Sequence, residues 1–427
     1  MYGGDEVSAI VLDLGSHSVK AGYAGQDTPQ CVFPSSVGTT AKSGNDMDTS
    51  DGGKNSSKTK DYYVDNMGFR RDGMEVESPF GENGLIEDWD AVEAIWEYAF
   101  KKRLTIQTDE HPMLLSEPVH TTDAVREKMV EIMFEKHAPP ALFLAKNPVL
   151  SSFAVGKATS LVIDMGGKQT TVSAVHEGFA LQKSVVRSAL GGEALTDVVL
   201  KYLEKQKVDV RPPYSFTKKV KGNGQFDVKN VSHPKTTGSY ALFKKREIAA
   251  DLKESVCRLN DHTFNSAEHK NVPLVAYELP DGNTVEVGVE RFQIPELLFQ
   301  PELLKEMNIT VPGIDGDTKL KSIQELVLEC INNSDVDVRK DLWGNLALSG
   351  GSSMFTSMRE RVEGALFDHA PQNVRTKVIA SMNSVERRFA TWIGGSILAS
   401  LGSFQQLWMS KQEYEEHGAS LIGKKCP

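Results

Sequence analysis

Cysteine is scarce in this sequence, and no two cysteines lie close together. The chain has four, Cys31, Cys257, Cys330 and Cys426, and none belongs to a CxxC pair. Zinc sites and disulfide frameworks both need closely grouped cysteines. We therefore expect neither, and we expect a protein of a reducing compartment.

Long apolar runs and an excess of positive charge are also missing. No apolar segment approaches the length of a membrane span, and the first residues lack the basic and apolar regions of a signal peptide. The 427 residues carry a formal net charge of −10, so any contact with DNA requires a local basic patch. A chain of this length predicts two domains.

What the sequence does contain is a weak internal repeat. AIVLDLGSHSVKAGYAG begins at Ala9, and SLVIDMGGKQTTVSAVHEG begins at Ser160. Each copy reads as a buried apolar strand, Asp-x-Gly, a polar turn and a second strand. One such hairpin is a common turn. Two copies, with Asp13 and Asp164 separated by 151 positions, predict two similar α/β domains that each open with the same hairpin. Between the copies, apolar residues at helical spacing predict helices within 87–104 and 121–137.

Two facing hairpins of this kind can bind a polyphosphate between them. Backbone N–H groups in glycine-containing turns point at phosphate oxygens. Asp13 and Asp164 would face the phosphates, which requires a cation between them, Mg²⁺ or Ca²⁺ held through water. The turns supply Gly15, Ser16, Lys20, Gly166, Gly167 and Thr170.

A third glycine element follows the apolar strand in LALSGGSSMF, where Gly350 and Gly351 allow close approach of a ribose or base. Neither GxGxxG nor GxxxxGK[ST] lies near any of these turns. The site is therefore predicted to be neither a Rossmann fingerprint nor a P-loop.

Two polar segments interrupt this pattern. Residues 39–61 have almost no apolar side chain, and their four basic and four acidic residues balance, which predicts a flexible loop. Residues 218–246 hold eight Lys or Arg against the single Asp227. Their composition leaves open a solvated loop or a patch that binds histones or DNA.

Several motifs together resemble the actin family: AGYAG, EHPMLLSE, REKMVEIMFE, ELPDG, ERF, LSGG and the long C-terminal stretch WIGGSILASLGSFQQLWMSKQEYEEHG. The resemblance covers nearly the whole chain outside 39–61 and 218–246. It implies an α/β, actin-like fold of two RNase H-like domains related by a pseudo-repeat, with ATP or ADP and Mg²⁺ or Ca²⁺ in the cleft. It assigns 1–153 and 389–427 to a small domain and 154–388 to a large domain.

The resemblance also extends the site to the adenine side. The full expected nucleotide-binding set is Asp13, Gly15, Ser16, His17, Lys20, Asp164, Gly166, Gly167, Thr170, Lys253, Glu254, Gly350, Gly351, Ser352, Met354, Phe355 and Arg388.

At two positions the sequence departs from the residues by which actin positions the attacking water. Asn147 stands where actin has glutamine, and Thr171 stands where actin has histidine. A misplacement of about 1 Å can cost roughly a hundredfold in phosphoryl transfer. In the turns, His17 replaces a glycine and Gly167 an aspartate. We expect ATP binding with hydrolysis absent or very weak.

The opening YGGDEV, the VERRF motif and the KKCP ending are similar to nuclear actin-related proteins, in particular the actin-related protein four class. That resemblance implies a non-catalytic nuclear subunit, with some cytoplasmic protein, in chromatin-remodelling and histone acetyltransferase complexes. There it would pair with monomeric actin on a helical scaffold segment and support nucleosome engagement and transcription regulation, with no membrane partner. The scaffold helix would bind a groove lined by Val149, Phe153, Ile393, Leu398 and Leu401.

The main alternative is an actin-like ATPase that forms cytoskeletal filaments. The C-terminal similarity favours it. The polar loop 39–61 disfavours it and predicts that the chain is not a homopolymer, because head-to-tail assembly needs a complementary apolar surface. Sugar kinases and chaperone ATPases share the two-hairpin cleft but lack the C-terminal motif.

Overall fold

The computed structural model describes residues 8–41, 60–221, 225–267, 272–311 and 320–427, with only the backbone described at 220, 221, 225 and 226. The predicted α/β fold is confirmed, because strands and helices alternate around two mixed sheets of six strands each.

The strands are numbered in chain order. They are β1 Ile10–Leu14, β2 Ser18–Tyr23, β3 Cys31–Pro34, β4 Val37–Ala41, β5 Lys60–Val64, β6 Glu75–Glu77, β7 Met113–Glu117, β8 Ala141–Lys146, β9 Ser160–Met165, β10 Thr170–His176, β11 Phe179–Ala180, β12 Val186–Ser188, β13 Phe216–Lys221, β14 Gln225–Asn230, β15 Val275–Glu278, β16 Thr284–Val287, β17 Leu346–Ser349, β18 Val378–Ile379 and β19 Met409–Ser410.

The helices follow the same convention. They are α1 Trp89–Glu97, α2 Asp123–Ile132, α3 Asn147–Ala154, α4 Gly192–Lys205, α5 Gly238–Val256, α6 Glu290–Glu296, α7 Leu303–Met307, α8 Ile323–Asn332, α9 Val336–Gly344, α10 Met358–Phe367, α11 Ser384–Arg388, α12 Ala390–Ser400, α13 Lys411–His417 and α14 Ile422–Lys425.

The two large sheets are built alike. The first has the order β19-β8-β7-β1-β2-β3, and the second has the order β11-β10-β9-β17-β18 with β12 also paired to β10. In each, an antiparallel hairpin (β1–β2 or β9–β10) adds a parallel strand on its other side (β7 or β17). The internal repeat in the sequence is therefore a repeat of sheet topology.

Each large sheet has its own apolar core. The first sheet packs against α1 and α2, and the second against α4, α5 and α8. Both predicted helices are present and continue into a wider π-helical turn. Thr122 caps α2 by accepting from the Val125 N–H at 3.5 Å. All four cysteines are buried and unpaired, as expected.

The chain returns to the first sheet after completing the second. α12 packs on β1 and β7, where the buried Trp392 Nε1 donates to the Val11 carbonyl at 3.0 Å. β19 pairs with β8, and the fully buried Cys426 Sγ accepts from the Leu144 N–H at 3.4 Å. The strands of the first sheet thus fall in 1–153 and 389–427, and those of the second in 154–388.

Regular structure is present in the segment predicted to be a loop, 39–61, and in 218–246, for which a loop was one of two interpretations. Residues 39–41 complete β4, and Lys60 and Asp61 begin β5, so only 42–59 of the predicted loop lie outside the described residues. The loop interpretation of 218–246 is wrong. Those residues supply most of the β13–β14 hairpin and the first half of α5, because cross-strand pairing and helix packing stabilise a polar stretch that has no apolar pattern of its own. Among the described residues, no helix combines the length and apolar character needed to cross a membrane.

Candidate nucleotide-binding site

The two Asp-x-Gly hairpins have the same register. Asp13 pairs with Lys20 across β1–β2, and Asp164 pairs with Thr171 across β9–β10. In each hairpin four residues separate the last cross-strand pair, 15–18 in the first and 166–169 in the second. The repeat therefore places both carboxylates at equivalent points, each at the carboxyl end of a central strand.

A serine on the neighbouring parallel strand donates to each carboxylate. Ser116 Oγ donates to Asp13 Oδ1 at 2.5 Å, and Ser349 Oγ donates to Asp164 Oδ1 at 3.3 Å. The sequence analysis missed both serines. A signal was available, because MLLSE and LALSG each end an apolar strand with serine.

The charge partners of the two carboxylates differ. Lys20 Nζ lies 3.0 Å from Asp13 Oδ2. No described cation forms an ion pair with Asp164. Burial raises the pKa of Asp164 to about 6, the negative charge of Asp13 adds to the rise, and the bond from Ser349 opposes it. A ligand that brings positive charge would bind best beside Asp164.

The two turns contact each other across the cleft. The Lys168 N–H donates to Ser16 Oγ at 3.2 Å, and a Cβ added at Gly167 would lie 3.0 Å from the His17 Cβ. We call the first sheet with the elements packed on it the first lobe, and the second sheet with its elements the second lobe. Lys168 Nζ reaches the first lobe, where it donates to the Phe80 carbonyl at 2.7 Å and also to the Gly81 carbonyl. Substitution of Gly167 by the aspartate of actin would crowd His17, so the two departures from the actin turns compensate each other.

Cationic groups gather around these turns. Part of His17 is exposed at the cleft rim, yet enough protein surrounds the ring that desolvation lowers its pKa, and Lys253, Lys20 and Arg388 lower it further. Glu254 acts on His17 in the opposite direction. Three cationic residues that are distant in sequence are thus brought close to the first turn, where they can attract a polyphosphate.

The third glycine element lies against the second hairpin. Gly350 has φ +89°, and a Cβ there would meet the Met165 carbonyl oxygen at 2.4 Å and Asp164 Oδ1 at 2.7 Å, so only glycine fits. Ser352 Oγ donates to the Gly166 carbonyl at 3.2 Å. Gly351, Met354 and Phe355 follow in and after a single 3-10 turn, with Gly351 exposed and the other two half-buried.

Two further predicted ligand residues, Thr170 and Lys253, also have hydrogen bonds within the protein. The Thr170 hydroxyl was expected to face a phosphate, but it is buried and donates to the Leu190 carbonyl at 2.6 Å. The Thr170 hydroxyl therefore stabilises the end of the second turn through a hydrogen bond inside the protein. Lys253 Nζ donates to the Gly192 carbonyl and to Thr196 Oγ1, both at 2.8 Å, and burial lowers its pKa.

The two positions that differ from actin lie on adjoining elements. Asn147 is the first residue of α3, which packs against β9 and β10, and its Oδ1 is buried without a hydrogen-bond partner. Thr171 is half-buried on β10, opposite Asp164. Buried polar atoms rarely remain unpaired, so the Asn147 oxygen is a polar atom that no described protein group satisfies.

The metal-ligating side chains of this site fit a cation bound to a polyphosphate better than a cation alone. Within the part of the chain that the structure describes, no three metal-ligating side chains come together. Asp13 and Asp164 are two carboxylates beside facing turns, and Mg²⁺ commonly combines one or two carboxylates with substrate phosphates and water. The residues present would hold a cation through water once a nucleotide supplies the remaining oxygens.

The predicted partner groove is only partly exposed. α3 and α12 cross in close contact, and Val149, Phe153 and Ile393 are half-buried. Leu398 was expected to line the groove, but it is 8% exposed and packs in the core. Leu401, also expected to line the groove, directly follows α12 and is about 40% exposed, as is Ile397 on α12, which was not in the predicted set. Further exposed apolar residues that sequence reasoning missed are Leu407 and Phe179.

Comparison with known proteins agrees with this architecture. A family model described as Actin matches residues 4–427. The chain therefore belongs to the actin family.

The chain is 52% identical over 448 aligned positions to a protein of Oryza sativa subsp. indica, and all of each chain is covered. It is 50% identical over 450 aligned positions to a protein of Arabidopsis thaliana, again with all of each chain covered. A Schizosaccharomyces pombe protein is 35% identical, covering 100% of this chain and 99% of its own length. All three are named Actin-related protein 4, which places this chain in the actin-related protein 4 class.

Proposed function

We propose that this protein binds ATP as a structural ligand and hydrolyses it very slowly or not at all. We further propose that it serves as the actin-related subunit of nuclear chromatin-remodelling and histone acetyltransferase complexes. In these complexes it pairs with monomeric actin on a helical scaffold segment, supports nucleosome engagement and regulates transcription. Its membership of the actin-related protein 4 class supports this assignment.

The observation that supports the proposal is that the cleft has groups that suit polyphosphate binding but lacks the two residues by which actin positions the attacking water. The twin carboxylates, the cationic rim and the facing turns suit a polyphosphate with its cation. Opposite Asp164, however, the strand presents Thr171, whose hydroxyl cannot act as an imidazole that orients water. The side chain of Asn147 is one methylene shorter than glutamine. Positioning supplies most of the catalysis in phosphoryl transfer, so loss of both positions removes turnover while leaving binding.

Partner binding fits the exposed face of α12. Ile397 near the end of α12 and Leu401 directly after it are exposed apolar residues, which suit contact with the apolar face of an amphipathic helix. The proposal therefore places the scaffold helix along this face, with the half-buried Phe153 on α3 beside it.

The test is single-turnover hydrolysis by the purified full chain loaded with γ-labelled ATP. We expect phosphate release roughly a hundredfold or more below that of actin measured in parallel. The double variant Asn147→Gln, Thr171→His should release phosphate faster than the wild type. Asn230→Gln, Thr217→His makes the same chemical changes on the exposed β13–β14 hairpin and should leave the rate unchanged.

Hydrolysis of ATP by the wild type at the rate of actin would contradict the non-catalytic assignment. The filament alternative is checked with the same preparation by sedimentation in polymerising salt. We expect the protein in the supernatant, and a pellet at micromolar concentration would favour the alternative.

A further inference from the structure

The second lobe contains two neighbouring arginines that belong to elements distant in sequence. Arg258 follows Cys257, the C-cap of α5, and Arg291 is the second residue of α6. Their backbones are joined, because the Arg258 N–H donates to the Arg291 carbonyl at 3.0 Å. The fold therefore holds these two positions side by side.

Both guanidinium groups lie on the same aromatic ring. The Cζ of Arg291 is 4.7 Å from the centroid of the Phe292 ring, and the Cζ of Arg258 is 5.1 Å from it. Burial lowers the pKa of Arg291, and the positive charge of Arg258 lowers it further. The two positive charges are therefore close enough to repel each other.

The other buried arginines in the described part of the chain have carboxylate partners. Arg361 Nη2 lies 2.6 Å from Glu296 Oε1, and Arg126 Nε lies 3.0 Å from Glu117 Oε1. Arg291 is 8% exposed, but it forms no ion pair with a described residue, and its Nε is buried without a hydrogen-bond partner. An unpaired buried charge is unfavourable, so a bound anion would stabilise Arg291.

The groups next to the two arginines do not neutralise them. Arg258 is exposed, and it too has no ion pair among the residues that the structure describes. The adjacent carboxylate of Glu290 is engaged elsewhere, because its Oε2 accepts from the Gly288 N–H at 3.2 Å. Cys257 is a neutral thiol, since burial raises its pKa to about 12. The pair therefore keeps two positive charges in a chain whose net charge is −10.

This arrangement suits a phosphate group with two negative charges. A guanidinium can donate two parallel N–H groups to phosphate oxygens while it stacks on an aromatic ring. A carboxylate or chloride ion would balance only one of the two positive charges, whereas a phosphate monoester carries nearly two negative charges at neutral pH. We propose that Arg258 and Arg291 form a binding site for a dianionic phosphate group.

The phosphate group can be a free phosphate ion or a phosphorylated side chain of a partner protein. Arg258 is exposed and can receive either from solvent, and Arg291 beside it supplies the second charge. Neither arginine belongs to the expected nucleotide-binding set. The inference is therefore independent of whether the cleft holds ATP.

The experiment is isothermal titration calorimetry of the full chain with inorganic phosphate. Ionic strength is held constant at mildly alkaline pH, and saturating ATP and Mg²⁺ occupy the cleft. Arg258→Gln removes one guanidinium and should raise the dissociation constant about tenfold. Arg291→Met keeps an unbranched side chain and should abolish saturable binding. The control Arg359→Gln removes the same charge from an exposed arginine that lies 3.1 Å from Glu363, and it should leave the dissociation constant unchanged.

Two further titrations identify the ligand. Acetate, which carries one negative charge, should bind at least tenfold more weakly than phosphate. A glycine pentapeptide with a central phosphoserine tests the source of the phosphate group. Tighter binding of this peptide than of inorganic phosphate, lost in its unphosphorylated form, would assign the site to a phosphorylated partner, and weaker binding would assign it to free phosphate.

Urea unfolding gives a second readout. Without phosphate, Arg291→Met should be at least as stable as the wild type, because it removes an unpaired buried charge. Added phosphate should stabilise the wild type and not this variant. Equal phosphate affinity in the wild type, Arg258→Gln and Arg291→Met would overturn the proposal, as would the absence of saturable binding to the wild type. Equal losses in Arg258→Gln and Arg359→Gln would also overturn it, because total charge would then control binding.

Arg258→Gln keeps the test valid if Arg291→Met fails to fold, since it changes an exposed side chain.

Discussion

At the scale of single residues, Asp13 and Asp164 share a backbone position but differ in their surroundings. Asp13 has an internal cation 3.0 Å away in Lys20, whereas the equivalent position in the second hairpin is the neutral Thr171. The second carboxylate is therefore the one whose charge a bound cation must balance. This asymmetry follows from a single substitution within the repeat, and it controls how the site responds to pH.

Protonation of Asp164 should weaken binding of the ATP–Mg²⁺ complex in mild acid. The pKa of Asp164 is raised to about 6, so the carboxylate is ionised at pH 7.5 and mostly protonated at pH 5.5. Since a cation needs the ionised form, the dissociation constant should rise about fourfold over this interval. Fluorescence titration with N-methylanthraniloyl-ATP at each pH measures it.

Asp164→Asn is the matched variant for this measurement. It cannot titrate, so it should bind weakly at both pH values and lose the pH dependence. An equal pH dependence in wild type and variant would place the titrating group elsewhere.

At the scale of elements, the crossing of α3 and α12 depends on one missing side chain. A Cβ at Gly394 would lie 1.8 Å from the Leu150 carbonyl oxygen, which is part of the α3 backbone and cannot rotate away. The two helices approach this closely because glycine stands at the point of contact. The exposed Ile397 lies on the same helix and Leu401 directly follows it, so the position of both depends on the crossing.

Gly394→Ala should therefore destabilise the fold. Overpacking against backbone forces the helices apart, at a cost of about 3 kcal/mol in the free energy of unfolding. Urea unfolding followed by circular dichroism measures it. Gly423→Ala is the control, because no atom lies within 4 Å of the added Cβ in α14, and it should change stability by less than about 1 kcal/mol. Equal stabilities of the two variants would contradict the close crossing.

How far the sequence predicts each element depends on whether its signal is local. The β1–β2 and β9–β10 hairpins were predictable, because a buried strand needs a continuous apolar run and the repeat showed it twice. The β13–β14 hairpin was not, because its stability comes from pairing and from contacts with distant residues. The exposed face of α12 was also not predictable from the sequence. ATWIGGSILAS is apolar nearly all round, so periodicity could not separate the buried Leu398 from the exposed Ile397.

At the scale of the whole molecule, charge is unevenly distributed. The chain has a net charge of −10, yet Lys219 and Lys229 are exposed on one face of the β13–β14 hairpin. Lys218 points to the opposite face and lies 3.3 Å from Glu278. We expect the first of these faces, on which Lys219 pairs across the strands with Asp227, to be the one that attracts an acidic partner such as nucleosomal DNA.

Reversal of charge at Lys219 and Lys229 should weaken binding to mononucleosomes. Lys219→Glu, Lys229→Glu removes two phosphate contacts, and we expect about tenfold lower affinity at low salt, with the salt slope reduced by about two. Electrophoretic mobility shifts over a salt series measure both. Lys101→Glu, Lys128→Glu makes the same change in net charge on the first lobe. Equal losses in the two variants would mean that total charge, and not this face, drives the interaction.

The return of the chain to its first sheet has a consequence for the order of events during synthesis. The second lobe is continuous in sequence, so it can fold as soon as it emerges from the ribosome. The first lobe cannot, because α12, β19 and the buried Cys426 reach it only after the second lobe has been made. Its strands β1, β7 and β8 must remain incompletely covered until then. A truncation within 390–426 should therefore yield a chain with one folded lobe and one that aggregates.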